Sequence, residues 1–102
     1  MHPIVESMRA EVAEVCRRRG IRRLELFGSA ARDDFDEARS DLDFLVEFEE
    51  AREGPGLESW FGLKDELESM FDRPVDLVSY DAVVNPYVRA SIRKSRRLVY
   101  GT

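Results

Sequence analysis

The stretch FGSAARDDFDEARSDLDFLVEF, residues 27–48, decides the fold of this chain because it joins two predicted strands through a polar segment. Gly28 and Ser29 come directly after the apolar end of the first strand. Eleven residues then separate Ser29 from Asp41, and Asp43 follows with one leucine between the two aspartates. Two carboxylates at the start of a strand that is otherwise apolar call for a chemical explanation.

The two aspartates share one face of the predicted strand DLDFLVEF, because side chains alternate between the faces of a strand. Its other face is wholly apolar and is predicted to be buried: Leu42, Phe44, Val46 and Phe48. At a rise of ~3.3 Å per residue, Asp41 and Asp43 lie roughly 7 Å apart. Like charges repel at that distance, and aspartate is depleted in strands. A divalent cation would reverse the repulsion, and oxygen-only ligation suits Mg²⁺.

A third predicted strand, RPVDLVS, carries a single carboxylate, Asp76, between Val75 and Leu77. A charge in an apolar strand is costly to bury without a partner. If this strand lies beside the second, Asp76 completes a cluster of three carboxylates. Such a cluster can hold two metal ions ~3.5–4 Å apart, the arrangement used in phosphoryl transfer. A solvated aspartate at the end of a strand is the alternative.

The Gly-Ser pair fits the same chemistry. A glycine at the end of a strand lets backbone amides approach an anion closely, and the Ser29 hydroxyl with nearby amides then forms an anion-binding end. Arg32, one turn further on, adds a cation. A Gly-Ser pair alone is common in turns. The order Gly28-Ser29, acidic loop, Asp41-x-Asp43 and a later strand aspartate is much more specific.

Composition limits the classes of function. The chain has 102 residues, of which 43% are hydrophobic and 36% charged, and its net charge is −5. We therefore predict one domain over residues 1–102 and no direct nucleic-acid binding, which needs a basic surface. The single cysteine excludes an internal disulfide. No apolar stretch approaches the ~18 residues of a membrane span and no signal peptide is visible, so we predict a cytoplasmic protein without membrane contact.

Charge is unevenly distributed along the chain. Between Asp33 and Glu53 there are ten acidic residues and two basic ones. Basic residues form two groups: Arg17, Arg18, Arg19, Arg22 and Arg23, and then Arg89, Arg93, Lys94, Arg96 and Arg97. They are either solvated helix ends, where the helix dipole favours cations, or a surface for a phosphate or an acidic partner. Both interpretations stay open.

The periodicity of apolar residues predicts helices alternating with strands. The expected elements are a helix from Pro3 to Gly20, the strand RRLELF, the strand DLDFLVEF, a helix from Leu57 to Phe71, the strand RPVDLVS, a helix opening at Asn85-Pro86, and a short final strand RLVYG. This order predicts an α/β (α+β) domain with one small mixed sheet flanked by helices.

These motifs give the chain a family resemblance. LELFGSAARDDFDEARSDLDFLVEF, followed by PVDLVS and NPYVRASIRKSRRLVYG, resembles the minimal nucleotidyltransferases (MNT proteins) of the DNA polymerase beta-like superfamily. The resemblance covers nearly the whole chain. Here the spacing between Gly-Ser and Asp-x-Asp is eleven residues, one more than the common form, and Asp33 stands where many relatives have glycine.

The resemblance implies a nucleotidyltransferase fold, and transfer of a nucleoside monophosphate from a triphosphate to an acceptor. Gly28, Ser29 and Arg32 would hold the triphosphate. Asp41 and Asp43 would bind two Mg²⁺ ions, with Asp76 as the third carboxylate that helps to activate the acceptor hydroxyl. In this family the partner is often a HEPN-domain ribonuclease toxin, and the MNT antitoxin transfers AMP from ATP to a tyrosine of that toxin.

The short chain independently favours an acceptor on another molecule, because positioning the acceptor is most of the catalysis and no residues remain for an acceptor domain. Trp60, Phe61 and Tyr87 are candidates for the partner contact, although helical spacing also suits the core. Two alternatives remain: a binding module that neutralises a HEPN-type partner by masking it, and a nucleotidyltransferase acting on a small molecule.

Overall fold

The computed structural model of the protein describes residues 3–28, 31, 41–49, 57–80 and 85–101. The elements are α1 (Pro3–Ser7), α2 (Arg9–Arg19), β1 (Ile21–Phe27), β2 (Leu42–Phe48), α3 (Leu57–Phe71), β3 (Val75–Ser79), α4 (Pro86–Ser95) and β4 (Arg97–Tyr100). The predicted order of helices and strands and the predicted α/β class are confirmed. No helix in the described part of the chain has the length and apolarity needed to span a membrane.

The first predicted helix is divided in two at Met8, whose backbone leaves the helical region at φ −103° and ψ 11°. Its predicted end at Gly20 is confirmed. Gly20 adopts a left-handed conformation with φ 69°, and its N–H donates to the carbonyl of Cys16. Glycine reaches this conformation without a Cβ penalty, and the added bond satisfies a terminal carbonyl of the helix.

The four strands form one mixed sheet in the order β3-β2-β1-β4. β1 pairs antiparallel with both β2 and β4, and β2 pairs parallel with β3. The parallel pair needs a crossover, and α3 provides it. β3 and β4 lie at opposite edges of the sheet, so α4 crosses the sheet between them.

One face of the sheet packs against α1, α2 and α3 and holds the main core. The face predicted from the alternation in β2 is confirmed for Leu42, Phe44 and Val46, which are buried. Phe48, at the end of the strand, is only half-buried. The Phe44 ring stacks on Phe71 of α3 with centroids 6.1 Å apart. Cys16, on α2, is also buried in this core.

Side chains at alternate positions point to the other face of the sheet. A second, smaller cluster forms there from Leu45 and Ile92, with Phe27 and Val78 packed against it. Ile92 belongs to α4, so this helix covers part of the face that carries the predicted site residues. α4 begins at Pro86, and the Asn85 side-chain oxygen accepts a hydrogen bond of 2.9 Å from the Tyr87 N–H. Such a cap satisfies a free amide at the start of a helix.

Two charged contacts fix α3 in place. Arg18 and Arg19 of α2 both donate to the Glu66 carboxylate, at 2.6 and 2.7 Å, and so join the two helices. The Glu68 carboxylate accepts a 3.0 Å hydrogen bond from the backbone N–H of Val75. This bond anchors the end of α3 to the start of β3, one residue before Asp76.

Candidate active site

The sheet register places two of the three predicted carboxylates side by side. Asp43 of β2 is the direct partner of Asp76 in the parallel β3. Neighbouring strands lie about 4.8 Å apart, so the two side chains share one edge of one face. Asp41 is exposed and lies one residue before the start of β2. The strand that carries Asp76 therefore lies beside the Asp-x-Asp strand, as expected from the sequence. Both Asp41 and Asp76 are exposed to solvent.

Gly28 lies directly against this pair. Its predecessor Phe27 is the antiparallel partner of Asp43, and Gly28 itself has φ +77°. A Cβ atom added at Gly28 would approach the Asp43 Oδ2 atom to 2.5 Å. Only glycine fits this backbone conformation without strain. The turn therefore brings the main chain to within contact distance of the carboxylate.

The turn at Gly28 is held by two further hydrogen bonds. The Gly28 N–H donates to the Ser95 hydroxyl of α4 at 3.3 Å, and the Gly28 carbonyl accepts from the Ala31 N–H at 3.1 Å. Ser95 is buried. The N–H groups of Gly28 and Ala31 therefore already have acceptors. Gly28 contributes the conformation of the turn rather than a free hydrogen-bond donor. The predicted phosphate-binding residues Ser29 and Arg32 lie outside the described residues.

The carboxylate pair suits a magnesium ion in its chemistry. Mg²⁺ in proteins is held by one or two carboxylates, with water and phosphate oxygens at its other positions. Asp43 and Asp76 are oxygen donors on adjacent strands, one half-buried and one exposed. Within the described ranges, no group of three or more acidic, histidine or cysteine side chains forms a metal site. The predicted three-carboxylate cluster with two ions stays a prediction.

The alternation in LELF leaves two interpretations of Glu25, solvation or pairing with an arginine, and the structure shows the pairing. This β1 residue is buried on the face that carries Asp43, where its Oε1 lies 2.6 Å from the Arg23 Nε and its Oε2 lies 3.6 Å from the Arg96 Nε. A charge within LELF was the available signal, but only the fold shows that Glu25 draws Arg96 of the α4 end toward the sheet. Ser95 had no signal, because its partner is 67 residues away in the chain.

The chain matches a known domain family. A model of the nucleotidyltransferase domain matches residues 9–99. Two proteins of Methanocaldococcus jannaschii, both provisionally named as protein adenylyltransferases, are 39% and 36% identical over 80 residues. In each case the match covers 78% of this chain and 76% of the relative.

Solved structures share the fold. One, provisionally described as a minimal nucleotidyltransferase, is 36% identical with a TM-score of 0.69, and the match covers 95% of each chain. A toxin-antitoxin crystal structure with AMP-PNP gives a TM-score of 0.71 at 21% identity, covering 92% of this chain and 73% of that one. A Shewanella oneidensis complex of a tri-AMPylated HEPN toxin with an MNT antitoxin gives 0.66 at 19%, covering 96% and 73%.

Proposed function

The chain belongs to the nucleotidyltransferase domain family, and from this premise we propose that it is an antitoxin that transfers AMP from ATP to a tyrosine of a HEPN-domain toxin and so neutralises it. The observation that carries the proposal is the register of Asp43 with Asp76 beneath the glycine turn. A site for phosphoryl transfer needs carboxylates next to a place where the main chain admits phosphate oxygens.

Each described residue of the site has a proposed part in the reaction. The acceptor oxygen attacks the α-phosphorus of ATP, a new P–O bond forms, and the bond to pyrophosphate breaks. Asp76, exposed on the edge strand β3, takes the proton of the acceptor hydroxyl on a carboxylate oxygen. Gly28 keeps the turn close to Asp43, so a phosphate bound at the turn would lie beside the carboxylate pair.

Asp41, Asp43 and Asp76 are the residues that would hold Mg²⁺. The ion would neutralise charge on the transferred phosphoryl group. What the chain itself supplies is orientation: β1, β2 and β3 are hydrogen-bonded neighbours, so the sheet fixes the position of the glycine turn relative to Asp43 and Asp76. Positioning of this kind accounts for much of the rate in phosphoryl transfer.

Support for a protein acceptor comes from the relatives and from the surface. The M. jannaschii relatives carry protein adenylyltransferase names, and structures with the same fold come from complexes with HEPN toxins. Of the three residues considered for partner contact, Phe61 is 53% exposed and Tyr87 is 85% exposed. Trp60 is partly buried and packs against Phe48 with ring centroids 6.3 Å apart. We therefore propose that the toxin contacts this chain at Phe61 or at Tyr87. We also propose that the protein acts in the cytoplasm.

The test is intact-mass spectrometry of a co-encoded HEPN protein after incubation with this chain, ATP and Mg²⁺. We expect added mass in units of AMP. Asp43→Asn should slow the transfer by about 10²–10³-fold, because it removes a group that acts on the transition state. Asp65→Asn is the matched control, since Asp65 is an exposed carboxylate on α3, away from the site.

The masking alternative makes the opposite prediction. A binding module would inhibit the ribonuclease partner equally well with Asp43→Asn as with the wild-type chain, and would add no mass to it. That pair of results would reject the transferase proposal. Loss of both inhibition and mass in Asp43→Asn, with both retained in Asp65→Asn, would support it.

A further inference from the structure

A buried carboxylate that the proposed reaction does not use lies in the middle of β1. Glu25 is 2% exposed and, by alternation along the strand, points to the face of the sheet that carries Asp43. Its direct partner in β2 is Leu45, which belongs to the small apolar cluster beneath α4. A carboxylate in such surroundings is costly to bury unless cations or hydrogen-bond donors compensate for the lost water.

Two guanidinium groups compensate the charge of Glu25. The Arg23 Nε lies 2.6 Å from the Oε1 atom of this carboxylate, and the Arg96 Nε lies 3.6 Å from its Oε2 atom. Arg23 belongs to β1 itself, so the first ion pair stays within one strand. Arg96 directly follows α4, and its N–H donates to the Ile92 carbonyl at 2.8 Å, which extends the helical pattern by one residue. The second ion pair therefore joins the end of α4 to the sheet.

This second ion pair lies next to the contact that holds the glycine turn. Ser95, the residue before Arg96, accepts the hydrogen bond from the Gly28 N–H at 3.3 Å. Gly28 follows Glu25 by three residues and lies against Asp43. Two consecutive residues at the end of α4 thus contact β1 and the turn that follows it. A shift of the helix end would separate the Ser95 hydroxyl from the turn.

A contribution to stability is a weak explanation for this buried charge. Replacing a buried ion pair by apolar residues of similar volume is often neutral or stabilising, and the position beside Leu45 would suit an apolar side chain. Apolar contacts are not directional, whereas a carboxylate holds a guanidinium group in a defined geometry. The ion pair between Glu25 and Arg96 is therefore suited to fix where the end of α4 lies on the sheet.

We propose that Glu25 is a positioning residue for the glycine turn. Through Arg96 it fixes the end of α4, and Ser95 then holds the turn beside Asp43 in the conformation that binds ATP. Glu25 contacts neither ATP nor the acceptor, because its carboxylate is buried between the two guanidinium groups. The assignment of ATP as the ligand of the turn rests on the proposed function, whereas the effect of Glu25 on the turn does not.

The first experiment observes the turn directly and needs no ligand. Amide hydrogen exchange is followed by NMR in wild type, Arg96→Gln and Arg23→Gln. Each variant removes one guanidinium group from the same carboxylate, so Arg23→Gln is the matched control for the link to α4. We expect the Gly28 N–H to exchange about tenfold faster in Arg96→Gln and less than about twofold faster in Arg23→Gln, although Arg23 makes the shorter ion pair.

The amide of Leu26, in the centre of the sheet, reports global unfolding in the same spectra. Opening of the turn alone therefore appears as faster exchange at Gly28 relative to Leu26. Equal relative rates in Arg96→Gln and Arg23→Gln would overturn the proposal, and so would an unchanged rate at Gly28 in Arg96→Gln.

The affinity for nucleotide gives a test in which the sign of the effect is decisive. A non-hydrolysable ATP analogue with Mg²⁺ is titrated by calorimetry into wild type and Glu25→Gln, which keeps the shape of the side chain and removes its charge. If Glu25 acted only through its charge, its removal would strengthen the binding of an anionic nucleotide. We expect about tenfold weaker binding instead, because Arg96 loses its anchor. Tighter or unchanged binding overturns the proposal.

A double-mutant cycle tests whether the effect passes through Ser95. Arg96→Gln should weaken binding of the analogue about tenfold in wild type, and should have no further effect in a Ser95→Ala background. Additive effects would mean that Arg96 contacts the nucleotide itself, which would overturn the proposal. If Glu25→Gln fails to fold, Arg96→Gln breaks the same link from the other side and leaves Glu25 paired with Arg23.

The transfer reaction separates positioning from catalysis. Arg96→Gln should raise the KM for ATP about tenfold and leave kcat within about twofold, the pattern of lost ground-state binding. A fall in kcat with an unchanged KM would assign Arg96 to the transition state and overturn the proposal. If wild type neither binds the analogue nor transfers AMP, the proposed function fails, while amide exchange at Gly28 still decides whether Glu25 positions the turn.

Discussion

Gly28 occupies a backbone position that both its φ of +77° and its neighbour Asp43 reserve for glycine. A side chain there meets two separate costs. The left-handed conformation costs a non-glycine residue about 1–2 kcal/mol. The close contact with the Asp43 carboxylate adds a further loss of stability, which disappears when Asp43 is replaced by a smaller residue. The two costs can be separated because only the second depends on Asp43.

We expect Gly28→Ala to lower the free energy of unfolding by about 2–3 kcal/mol in wild type and by about 1–2 kcal/mol in an Asp43→Ala background. The difference arises because Asp43→Ala removes the oxygen that the new methyl group would meet. Urea unfolding of the four proteins of the cycle measures it. An equal loss in both backgrounds would show that the methyl group never contacts Asp43.

Asp76 is an exposed carboxylate opposite another carboxylate, and like charges at directly paired strand positions are destabilising. We expect Asp76→Asn to raise the free energy of unfolding in EDTA by about 0.2–1 kcal/mol at low ionic strength. High salt should shrink the gain, since it screens exposed charges. Thermal unfolding at two salt concentrations measures both effects, with Asp65→Asn as control. A clear loss of stability would mean that Asp76 makes a structural bond.

At the scale of elements, α4 is the part of the fold that sequence patterns describe least completely. Its start at Pro86 was predicted from Asn85-Pro86, and its basic residues were noted as a possible phosphate surface. The pattern could not show that its last residue, Ser95, accepts a hydrogen bond from Gly28. Contacts between distant parts of the chain depend on strand order, and periodicity carries no information about strand order.

The β-strands were easier to predict because alternation alone identifies the faces of a strand. Leu42, Phe44 and Val46 were assigned to the core from the sequence, and they lie there. The pairing of Asp43 with Asp76 needed one further assumption, that the second and third strands are neighbours. The sheet order meets that assumption. The parts that Ser29 and Arg32 play in phosphate binding stay predictions.

Ser95→Ala tests the link between α4 and the glycine turn. Removing the hydroxyl leaves the Gly28 N–H without its acceptor in a partly buried site, which costs about 1–3 kcal/mol. We expect a lower free energy of unfolding and a higher KM for ATP, because the turn beside Asp43 loosens. Ser69→Ala, on the exposed face of α3, is the control and should change neither quantity. An unchanged KM for ATP would show that Ser95 stabilises the fold without affecting ATP binding.

The contact between α2 and α3 should depend on pH. Hydrogen bonding by Arg18, aided by Arg19, lowers the pKa of Glu66 below its usual 4.5. A lowered pKa in the folded state stabilises the protein above pH 4.5, and this contribution is lost as the pH falls through the folded-state pKa. Because solvent reaches the pair, we expect Glu66→Gln to cost about 0.5–1 kcal/mol at pH 7.

The measurement for Glu66 is the difference in Tm between wild type and Glu66→Gln across the acid range. The difference should be largest near neutral pH and should vanish well below pH 4.5. A difference that stays constant with pH would mean that Glu66 acts through packing of its side chain. Glu58→Gln, an exposed carboxylate at the start of the same helix, serves as the reference.

At the scale of the whole molecule, Cys16 reports on global unfolding. It is fully buried in the main core, and burial raises the pKa of its thiol to about 12. The thiolate is the reactive species, so both access and ionisation oppose modification of the native protein. We expect a disulfide reagent at neutral pH to label Cys16 only through the small fraction of molecules that are unfolded at equilibrium.

Labelling rates measured in increasing urea check this expectation. The free energy obtained from them should equal the global value from circular dichroism, as for core residues that open only on complete unfolding. A much smaller value would reveal local separation of α2 from the sheet. Because this is the only cysteine in the chain, one equivalent of reagent reports on one site.

The helix α4 contributes side chains to two separate places in the fold. Its arginines Arg89 and Arg93 line a cavity between the helix and the sheet, and its terminal Ser95 accepts a hydrogen bond from the Gly28 N–H. A ligand that displaces this helix at one place must therefore alter affinity at the other. Thermodynamic linkage requires the effect to be reciprocal: whatever factor a ligand in the cavity imposes on the affinity for ATP, ATP imposes in equal measure on the affinity for that ligand.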